Sequence, residues 1–420
     1  MLGTGPAGME IAPGKSTGKL MENAMSSPLS GIRVLDLARV LAGPYCASLL
    51  AMLGAEVIKV EGPAGDETRA WPPDNGGLST PFIALNLNKR GMVVDLKSEA
   101  GREVLKDLVR EADVLVENFK VGTLEQMGLG YETLREVNPR LVYASITSYG
   151  RQGPRANDPG YEAVIQAYGG AMSMTGHPEG EPMRSGVSFV DMSTGITSAL
   201  AVVTALFRRA TTGQGCRVDA SLLQTSLGLM SYHVASFLMN DVIPQPLGSA
   251  HPSVAPYQVF PVADGHIFIA AANQNLYERL CRALGREELI HDPRFADNPN
   301  RVKNRVELLE TLFAETKGYQ SMDLLTMLRE AGVPASQVNN LAELMADGQV
   351  EAIGGLLEMD HPQDGPVRLA GMPFFLDGQG GLTGRQAPRL GEHTREILQE
   401  LGYSAERIEE LIARKVVHGP

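Results

Sequence analysis

Asp191 is the residue whose setting most suggests chemistry. It follows a short apolar run, Val187 to Val190, and precedes the small residues Ser193-Thr194-Gly195, where an Ala/Leu/Val-rich helical pattern begins. One interpretation is a helix N-cap, because an aspartate there accepts hydrogen bonds from the first free N–H groups. The other is a nucleophile held in a cleft that contains little water. The local pattern alone favours the cap, so the rest of the chain has to decide.

Metal and disulfide chemistry is not expected. The cysteines Cys46, Cys216 and Cys281 lie far apart and form no CxxC pair, and the eight histidines form no HExxH motif. This spacing excludes the usual thiolate zinc site and a disulfide scaffold. We therefore predict no metal site and a reducing compartment.

Strand and helix patterns alternate from Gly31 onward, which predicts the framework around Asp191. The apolar runs "IRVLDLA", "EVIKVE", "MVVDL", "DVLVEN" and "LVYASIT" are separated by helical segments. This alternation indicates right-handed βαβ units, and hence an α/β fold with a Rossmann-like parallel sheet. Ligands of such sheets bind outside the carboxyl ends of the strands. The first strand-to-helix turn, "ARVLAGPYC", has no G-x-G-x-x-G pattern, so NAD or FAD is not expected.

A smaller α+β domain is predicted after the long helical pattern "ASLLQTSLGLMSYHVASFLMN". Four prolines in "IPQPLGSAHPSVAPYQVF" mark a boundary. The segment "VFPVADGHIFIAAA" predicts a hairpin about Asp264-Gly265, and two helices follow it. From roughly Leu341 the pattern changes to short strands and a final helix.

Charge and hydropathy exclude several kinds of partner. The net charge of −12 argues against binding to nucleic acid or to an anionic membrane. No run of eighteen apolar residues is found, so no transmembrane helix is expected. Residues 1–29 resemble neither a signal peptide nor a transit peptide and are predicted to be a loosely ordered leader. The expected location is the cytoplasm.

Several segments at strand ends carry residues that a fold alone does not require. They are "RVLAGP", "EGPAGDETR", "NLNKRGMVVDLK", "VENF", "SITSYGRQGP", "GYEAVIQAYGGAMSMTG" and, near the end, "APRLGEHTREIL". In this order and spacing they resemble the class III CoA-transferases, the family of formyl-CoA transferase and carnitine CoA-transferase. The resemblance runs from about Leu29 to the C terminus. It implies that Asp191, in a D-x-x-T/S-G segment, is a covalent nucleophile.

The resemblance also implies how the chain is organised. It predicts an interlocked homodimer in which each subunit forms a ring threaded through the other. The large CoA-binding Rossmann-like domain would be discontinuous, comprising residues 30–225 and 341–420. Residues 226–249 would form a linker helix and residues 250–340 the small α+β domain.

The positions that match the family's CoA pocket are spread along the large domain. Val40 and Ala42 would line the pocket with backbone groups, and Val94 and Lys97 would lie near the adenine and the phosphates. Further matching positions are Asn118, Phe119 and Met127 along the pantetheine arm, and Tyr161 and Glu162 beside the nucleophile. No tightly bound cofactor is implied, since coenzyme A enters as acyl-CoA substrate.

The basic residues depart from the family pattern. Gly62 and Gln126 stand where formyl-CoA transferases have arginines. The phosphate contacts are therefore expected to shift to other cations: Lys89, Arg90, Lys97 or Arg69. Lys89 and Arg90 could instead belong to a solvated turn. Arg184 is either an ordinary exposed arginine or the group that binds an acceptor carboxylate.

Transfer of CoA between acids needs an oxyanion site as well as a nucleophile. Backbone N–H groups of a glycine-containing loop can supply it, and the candidates are Gly169, Gly170 and the mobile-looking loop from Ala250 to Pro256. The segments "GSAHPSVAPYQVF" and "RVKNRVELL" look most like the succinyl-CoA-dependent branch, which acts on dicarboxylates. We therefore predict transfer from succinyl-CoA to a small dicarboxylate through an aspartyl-CoA thioester.

Two other functions compete with this prediction. An α-methylacyl-CoA racemase shares the fold, but it needs an acid/base pair that includes the histidine of a "GHD" segment. Here Gly160-Tyr161-Glu162 occupies that place, and a tyrosine with a pKa of about 10 is a poor base at neutral pH. A non-catalytic acyl-CoA-binding protein would lack the aspartate, whereas Asp191 is present.

Overall fold

The computed structural model describes residues 27–75, 77–361, 365–378, 380–381 and 384–420. The predicted leader lies outside these residues except for its last three positions. Leu29 is buried, and its N–H group donates to Leu53 O, so the described chain is attached to the fold from its first residues.

The described strands form one large sheet and three small ones. In chain order they are β1 Arg33–Asp36, β2 Glu56–Glu61, β3 Asp74–Asn75, β4 Leu78–Ser79, β5 Lys89–Val94, β6 Val114–Glu117, β7 Val142–Thr147, β8 Cys216–Ser221, β9 Tyr257–Val262, β10 Gly265–Ala270, β11 Ala335–Gln337, β12 Leu356–His361, β13 Gly365–Ala370 and β14 Val417–His418.

The described helices belong to two compact units. They are α1 Ala42–Met52, α2 Thr80–Leu85, α3 Glu99–Glu111, α4 Thr123–Gln126, α5 Tyr131–Val137, α6 Glu162–Tyr168, α7 Phe189–Thr212, α8 Leu222–Leu229, α9 Ser231–Asn240, α10 Gln274–Ala283, α11 Glu288–His291, α12 Asn298–Lys303, α13 Arg305–Thr316, α14 Ser321–Glu330, α15 Leu341–Ala346, α16 Gly348–Ala352, α17 Thr394–Glu400 and α18 Ala405–Ala413.

The large sheet has the order β14-β5-β2-β1-β6-β7-β8. The six strands from β5 to β8 in this order run parallel, and only β14, at one edge, is antiparallel. Numbered by appearance, the parallel strands follow the order 3-2-1-4-5-6, which is the order of a doubly wound dinucleotide-binding sheet. The predicted Rossmann-like parallel sheet is confirmed.

Burial on both faces explains why the strands were recognisable in the sequence. Every residue of β5, β6 and β7 is buried, because helices cover a parallel sheet on both sides. Such strands form continuous apolar runs. One core cluster joins strand residues to the helices on one face, including Leu35, Leu105, Tyr143 and Leu398.

The first compact unit comprises the described residues up to Tyr161, Phe189–Thr225 and Gly354–Pro420, and the second comprises Glu162–Ser188 and Ser226–Ile353. The second unit thus includes residues 162–188, which are predicted from the sequence to belong to the large domain. It also includes residues 226–249, which are predicted to form a linker helix, and it ends beyond residue 340.

The second unit contains the antiparallel sheet β11-β10-β9. The predicted hairpin is confirmed, since β9 and β10 pair up to Val262 and Gly265 on either side of a two-residue turn. Its core joins strand residues such as Phe260 and Ile267 to Tyr277 and Leu308 on the helices.

Around Asp191 the predicted boundary is wrong. No strand spans residues 187–190; the chain enters α7 at Phe189, and Ser193-Thr194-Gly195 lies inside this helix. The prediction of a strand is wrong because short apolar runs do not distinguish a buried strand from a buried helix end.

Helix α7 is long and apolar enough to cross a membrane by length and composition alone. Half of its apolar window is buried within the protein, and Asp191 and Arg209 lie on its buried face. A core helix of a globular fold has these properties.

Candidate active site

The loops after β1 and β6 form the topological switch point of the sheet. β1 pairs with β2 on one side and with β6 on the other, so the chain leaves these neighbouring strands in opposite directions. Ligands of doubly wound sheets bind in the crevice at this point. Four residues predicted to line the CoA pocket lie in these loops or at the start of α1: Val40, Ala42, Asn118 and Phe119.

The β1–α1 loop has a strained backbone. Val40 has φ of +71°, a left-handed conformation that is unusual for a β-branched residue. Such strain costs about 1–3 kcal/mol and is found most often at functional sites.

Leu41 occupies the N-cap of α1 without a capping side-chain bond, and the first turn contains no acid. A helix start of this kind favours anions, because its N–H groups and its dipole are both available.

Asn118 ties the two loops together. Its Oδ1 accepts from Arg39 N at 2.9 Å, and its Nδ2 donates to Arg39 O at 2.7 Å. The Arg39 guanidinium lies 5.7 Å from the centre of the Phe119 ring. The pair Asn118-Phe119 therefore has a defined orientation at the carboxyl end of β6.

Asp191 lies on the buried face of α7, the helix whose Gly195 packs against α1. It is the third residue of α7 and only 8% exposed, so it cannot be the N-cap of this helix. One turn later, a Cβ on Gly195 would lie 2.8 Å from Ala42 O and 2.9 Å from Tyr45 Cδ1. Residues four apart share a helix face, so Asp191 is on the side of α7 that packs against α1.

The structure corrects the predicted role of Lys89. Its side chain is fully buried, and its Nζ donates to Asp36 Oδ2 at 2.8 Å and to the carbonyls of Pro44 and Leu85. It also donates to Asn86 Oδ1. An ammonium group that already has four acceptors and no exposed surface is not available to a phosphate.

Arg90 is also corrected, for a different reason. It lies near the amino end of β5, opposite to the edge where ligands bind, and its guanidinium pairs with Glu56, Glu396 and Glu400. Val94, at the carboxyl end of the same strand, is 1% exposed and part of the core. Its side chain cannot contact a ligand.

The other predicted residues of the first unit differ in exposure. Lys97 is exposed just after β5, Met127 is half-buried and Tyr161 is exposed. Arg69 is paired with Glu61 at 2.6 Å and stacks over the Phe82 ring. Lys97 is therefore the more accessible of these two candidate phosphate ligands.

Glu162 and Arg184 lie together in the second unit. Glu162 is 6% exposed and accepts from Gln166 Nε2, and Gln166 Oε1 in turn accepts from Ser185 N at 3.0 Å. Arg184 Nε lies 4.0 Å from Glu162, and its side chain is half exposed. Gly170, a predicted oxyanion donor beside Gly169, has φ of +92°.

The loop from Ala250 to Pro256 is held more firmly than its composition suggested. Arg305 donates to the carbonyls of His251, Pro252 and Val254, while Arg301 donates to Ala255 O. Asn298 donates to Ser253 O. These bonds attach the loop backbone to α12 and α13, and the mobility of the loop stays a prediction.

Sequence reasoning missed several buried charges beneath the switch point. Asp36, Lys59 and Asp66 are buried, and Lys59 Nζ lies 3.0 Å from Asp66 Oδ2. Glu117 is also buried, and burial raises its pKa to about 7, partly opposed by hydrogen bonds from Ser145 and from the Phe119 N–H. The available indication was a charged residue inside an apolar strand pattern, as in "IRVLDLA" and "EVIKVE".

No group of three or more potential metal-ligating side chains occurs in the parts of the chain that the structure describes. The prediction of no metal site stays a prediction.

Comparisons with known proteins give a consistent result. The model of CoA-transferase family III matches residues 29–394. The succinate–glutarate CoA-transferase of Agrobacterium fabrum is 41% identical over 384 residues, which cover 89% of this chain and 96% of that protein. The succinyl-CoA:mesaconate CoA-transferase of Haloarcula hispanica is 38% identical over 384 residues, with the same coverage of both chains.

A solved structure has the same fold. The crystal structure of a CAIB/BAIF family protein from Brucella suis is 42% identical, with a TM-score of 0.79, and the match covers 89% of this chain and 99% of that one.

Proposed function

Since the chain belongs to CoA-transferase family III, we propose that it transfers CoA from succinyl-CoA to a small dicarboxylic acid through a thioester on Asp191. The observation that carries the proposal is the buried Asp191 carboxylate in the first turn of α7, on the face packed against the start of α1. The names of the two relatives support the donor and the class of acceptor.

The reaction divides a difficult exchange into easier steps. The Asp191 carboxylate attacks the succinyl-CoA thioester, and CoA thiolate leaves as a mixed anhydride forms between Asp191 and succinate. The thiolate then attacks the aspartyl carbonyl of the anhydride, which releases succinate and leaves CoA bound to Asp191. The acceptor carboxylate repeats these steps in reverse order. Covalent catalysis of this kind needs no redox group.

Burial of Asp191 suits this chemistry. A carboxylate with 8% exposure is largely shielded from bulk water, which would otherwise hydrolyse the anhydride and the thioester. Helix α7 also holds the carboxylate in one orientation, so that less freedom is lost when the substrate binds.

CoA is proposed to lie along the switch point. Backbone groups of Val40 and Ala42 would face it, Asn118, Phe119 and Met127 would follow the pantetheine arm, and Lys97 would meet a phosphate. Tyr161 and Glu162 would stand beside the nucleophile, and Arg184 would bind the far carboxylate of the acceptor. Lys89, Arg90 and the side chain of Val94 are not part of this proposal.

The quaternary structure and location belong to the same proposal. An interlocked homodimer, a cytoplasmic location and the absence of a tightly bound cofactor or a membrane partner complete it. The three cysteines are free in the structure, which suits a reducing compartment.

The test is trapping of the intermediate. The protein is incubated with succinyl-CoA without an acceptor, digested under mild acid and analysed by mass spectrometry. A CoA adduct is expected on the peptide that contains Asp191, and borohydride should reduce it. Asp191→Ala should lack both the adduct and transferase activity, because loss of an essential nucleophile costs several orders of magnitude in rate.

Asp323→Ala is the matched control, since Asp323 is also the third residue of its helix but is exposed. It should keep the adduct and the activity. A folded Asp191→Ala protein with near-normal exchange would refute the assignment of the nucleophile.

A further inference from the structure

Side chains hold the backbone of the β1–α1 loop in place. Ala38 N donates to Asp36 Oδ1 at 3.0 Å, and Ala38 O accepts from Lys59 Nζ at 3.0 Å. Val40 N lies 3.3 Å from both carboxylate oxygens of Asp66. Within this short segment, both polar groups of Ala38 and the N–H group of the strained Val40 are thus bound by buried charged residues.

A second set of bonds extends this support. Lys89 pairs with Asp36 and also donates to Pro44 O in the first turn of α1 at 2.8 Å. Arg39, between Ala38 and Val40, is held by Asn118 through both of its backbone polar groups. We call Asp36, Lys59, Asp66 and Lys89 the buried ion network.

Burial of the four charges in this network has an unfavourable free energy. All four side chains have no exposed surface. The cost of removing such charges from water often equals or exceeds their attraction, so that apolar residues of the same volume would serve stability as well or better. Burial lowers the pKa of Lys89 to about 8, whereas Asp36 and Asp66 raise the pKa of Lys59 despite its burial.

The buried ion network holds the β1–α1 loop in one conformation at the proposed ligand site. Val40 holds a conformation that its side chain disfavours, and its N–H group donates to the Asp66 carboxylate. Asp66 is itself fixed by Lys59 and by the backbone and hydroxyl of Thr68. Ligand affinity depends on such preorganisation, because a loop that is already ordered loses less entropy on binding.

We infer that Lys59 and Asp66 are positioning residues that hold the β1–α1 loop in the conformation that binds acyl-CoA. This inference rests on the proposed function. Neither side chain touches the substrate, since both are fully buried; they act through the backbone of Ala38 and Val40.

The decisive variant is the double substitution Lys59→Met/Asp66→Leu. It removes both charges together and keeps an apolar, similarly sized pair, so the fold should remain close to wild type in stability. It also removes the bonds to Ala38 O and Val40 N. The Kd for CoA and the KM for succinyl-CoA should rise about tenfold or more, with a much smaller change in kcat, because preorganisation affects binding.

The matched control is Arg209→Met/Asp113→Leu. Buried Arg209 and partly exposed Asp113 form another ion pair, at 2.7 Å, beside the amino end of β6 and away from the β1–α1 loop. This variant should change stability to a similar degree and leave the Kd for CoA unchanged. Amide hydrogen exchange at Ala38 and Val40 should speed up only in the Lys59→Met/Asp66→Leu protein.

Two outcomes would overturn the inference. A folded double variant with unchanged Kd and unchanged exchange in the loop overturns it, and so does an equal rise in Kd in the Arg209→Met/Asp113→Leu control. If the double variant does not fold, Asp66→Asn serves instead, since it keeps the shape and removes only the charge; the same rise in Kd is required. If wild type binds CoA but transfers none, the proposed function fails while the Kd comparison still tests the positioning role.

Discussion

At the scale of single residues, the folded environment decides which charged side chains remain available to a ligand. Lys89 and Arg90 follow Asn88 at a strand entry, where cations are usually solvated or available to a ligand. Lys89 is instead enclosed by four acceptors, and Arg90 pairs with three glutamates. The sequence could not predict this, because the acceptors come from distant positions that only the folded sheet brings together.

Arg184 provides a test of acceptor choice. Its half-exposed guanidinium can form a charge-assisted bond to a second carboxylate, and such bonds contribute about 1.5–3 kcal/mol. Arg184→Met should therefore raise the KM for a dicarboxylate such as glutarate about tenfold or more and leave the KM for a monocarboxylate nearly unchanged. Steady-state kinetics with both acceptors measures this.

Arg282→Met is the control, since Arg282 is an exposed arginine paired with Glu278 on α10. It should change neither constant. An unchanged dicarboxylate KM in Arg184→Met would remove Arg184 from the acceptor site.

Glu117 should make stability depend on pH in a predictable direction. Burial raises its pKa from 4.5 to about 7, so between these values the folded protein binds more protons than the unfolded chain. The contribution of Glu117 to stability is therefore fully present below pH 4.5 and is lost as pH rises through 7. Glu117→Gln should lack this loss and gain stability relative to wild type as pH rises, by an amount on the order of a few kcal/mol.

Denaturant unfolding at several pH values between 4.5 and 8 measures this difference. Glu99→Gln replaces an exposed acid in the first turn of α3 and should give a profile parallel to wild type. Parallel profiles for Glu117→Gln and wild type would contradict the raised pKa.

At the scale of elements, the parallel strands were predictable and the start of α7 was not. Strands buried on both faces form apolar runs that stand out from helical patterns, so the βαβ order could be read directly. The four residues before Asp191 are too few to show whether their hydrophobic pattern has the period of a strand or that of a helix. The approach of α7 to α1 at Gly195 was hidden as well, because a glycine in a helical pattern does not reveal what lies against it.

Gly195→Val should affect stability and catalysis together. A Cβ at this position would meet Ala42 O at 2.8 Å and Tyr45 Cδ1 at 2.9 Å, so α7 and α1 must separate. Overpacking of this kind costs about 1–3 kcal/mol. Because α7 carries Asp191 and α1 begins at the proposed CoA site, kcat/KM should fall more than the loss of folded protein accounts for.

Thermal unfolding and kinetics on the folded fraction separate the two effects. Gly348→Ala, at the start of α16, is the control because no atom lies within 4 Å of a Cβ placed there. Normal kcat/KM in a folded Gly195→Val protein would show that the spacing of these helices is not critical.

At the scale of the whole molecule, the division into units was only partly visible in the sequence. The proline-rich segment before β9 lies inside the second unit, which resumes at Ser226, and residues 162–188 belong to the same unit although they interrupt the first in sequence. Composition does not reveal that a segment belongs to a different unit from its neighbours in sequence, because this depends on long-range packing. Within the long helical pattern, Leu222 and Met230 are buried while Leu227 and Leu229 are exposed.

The last prediction concerns the dimer. On the outer side of α7, Ile196, Leu200 and Phe207 are exposed by 47%, 66% and 76%. At spacings of four and seven residues they form one apolar stripe, which is unusual on a free surface. A second copy of the chain would cover it. Leu200→Asp/Phe207→Asp should therefore convert the dimer into a monomer and, because α7 also carries Asp191, abolish most of the activity.

Light scattering and sedimentation at assay concentration measure this change, with Val306→Asp as the control, since Val306 is an exposed apolar residue on α13 outside the stripe. The control should remain dimeric and active. A wild-type protein that is a stable, active monomer would refute the dimer, whereas a dimeric Leu200→Asp/Phe207→Asp protein would move the interface away from α7. The stripe runs along the same helix that orients the Asp191 carboxylate, so subunit contact and catalysis should fail together in this variant.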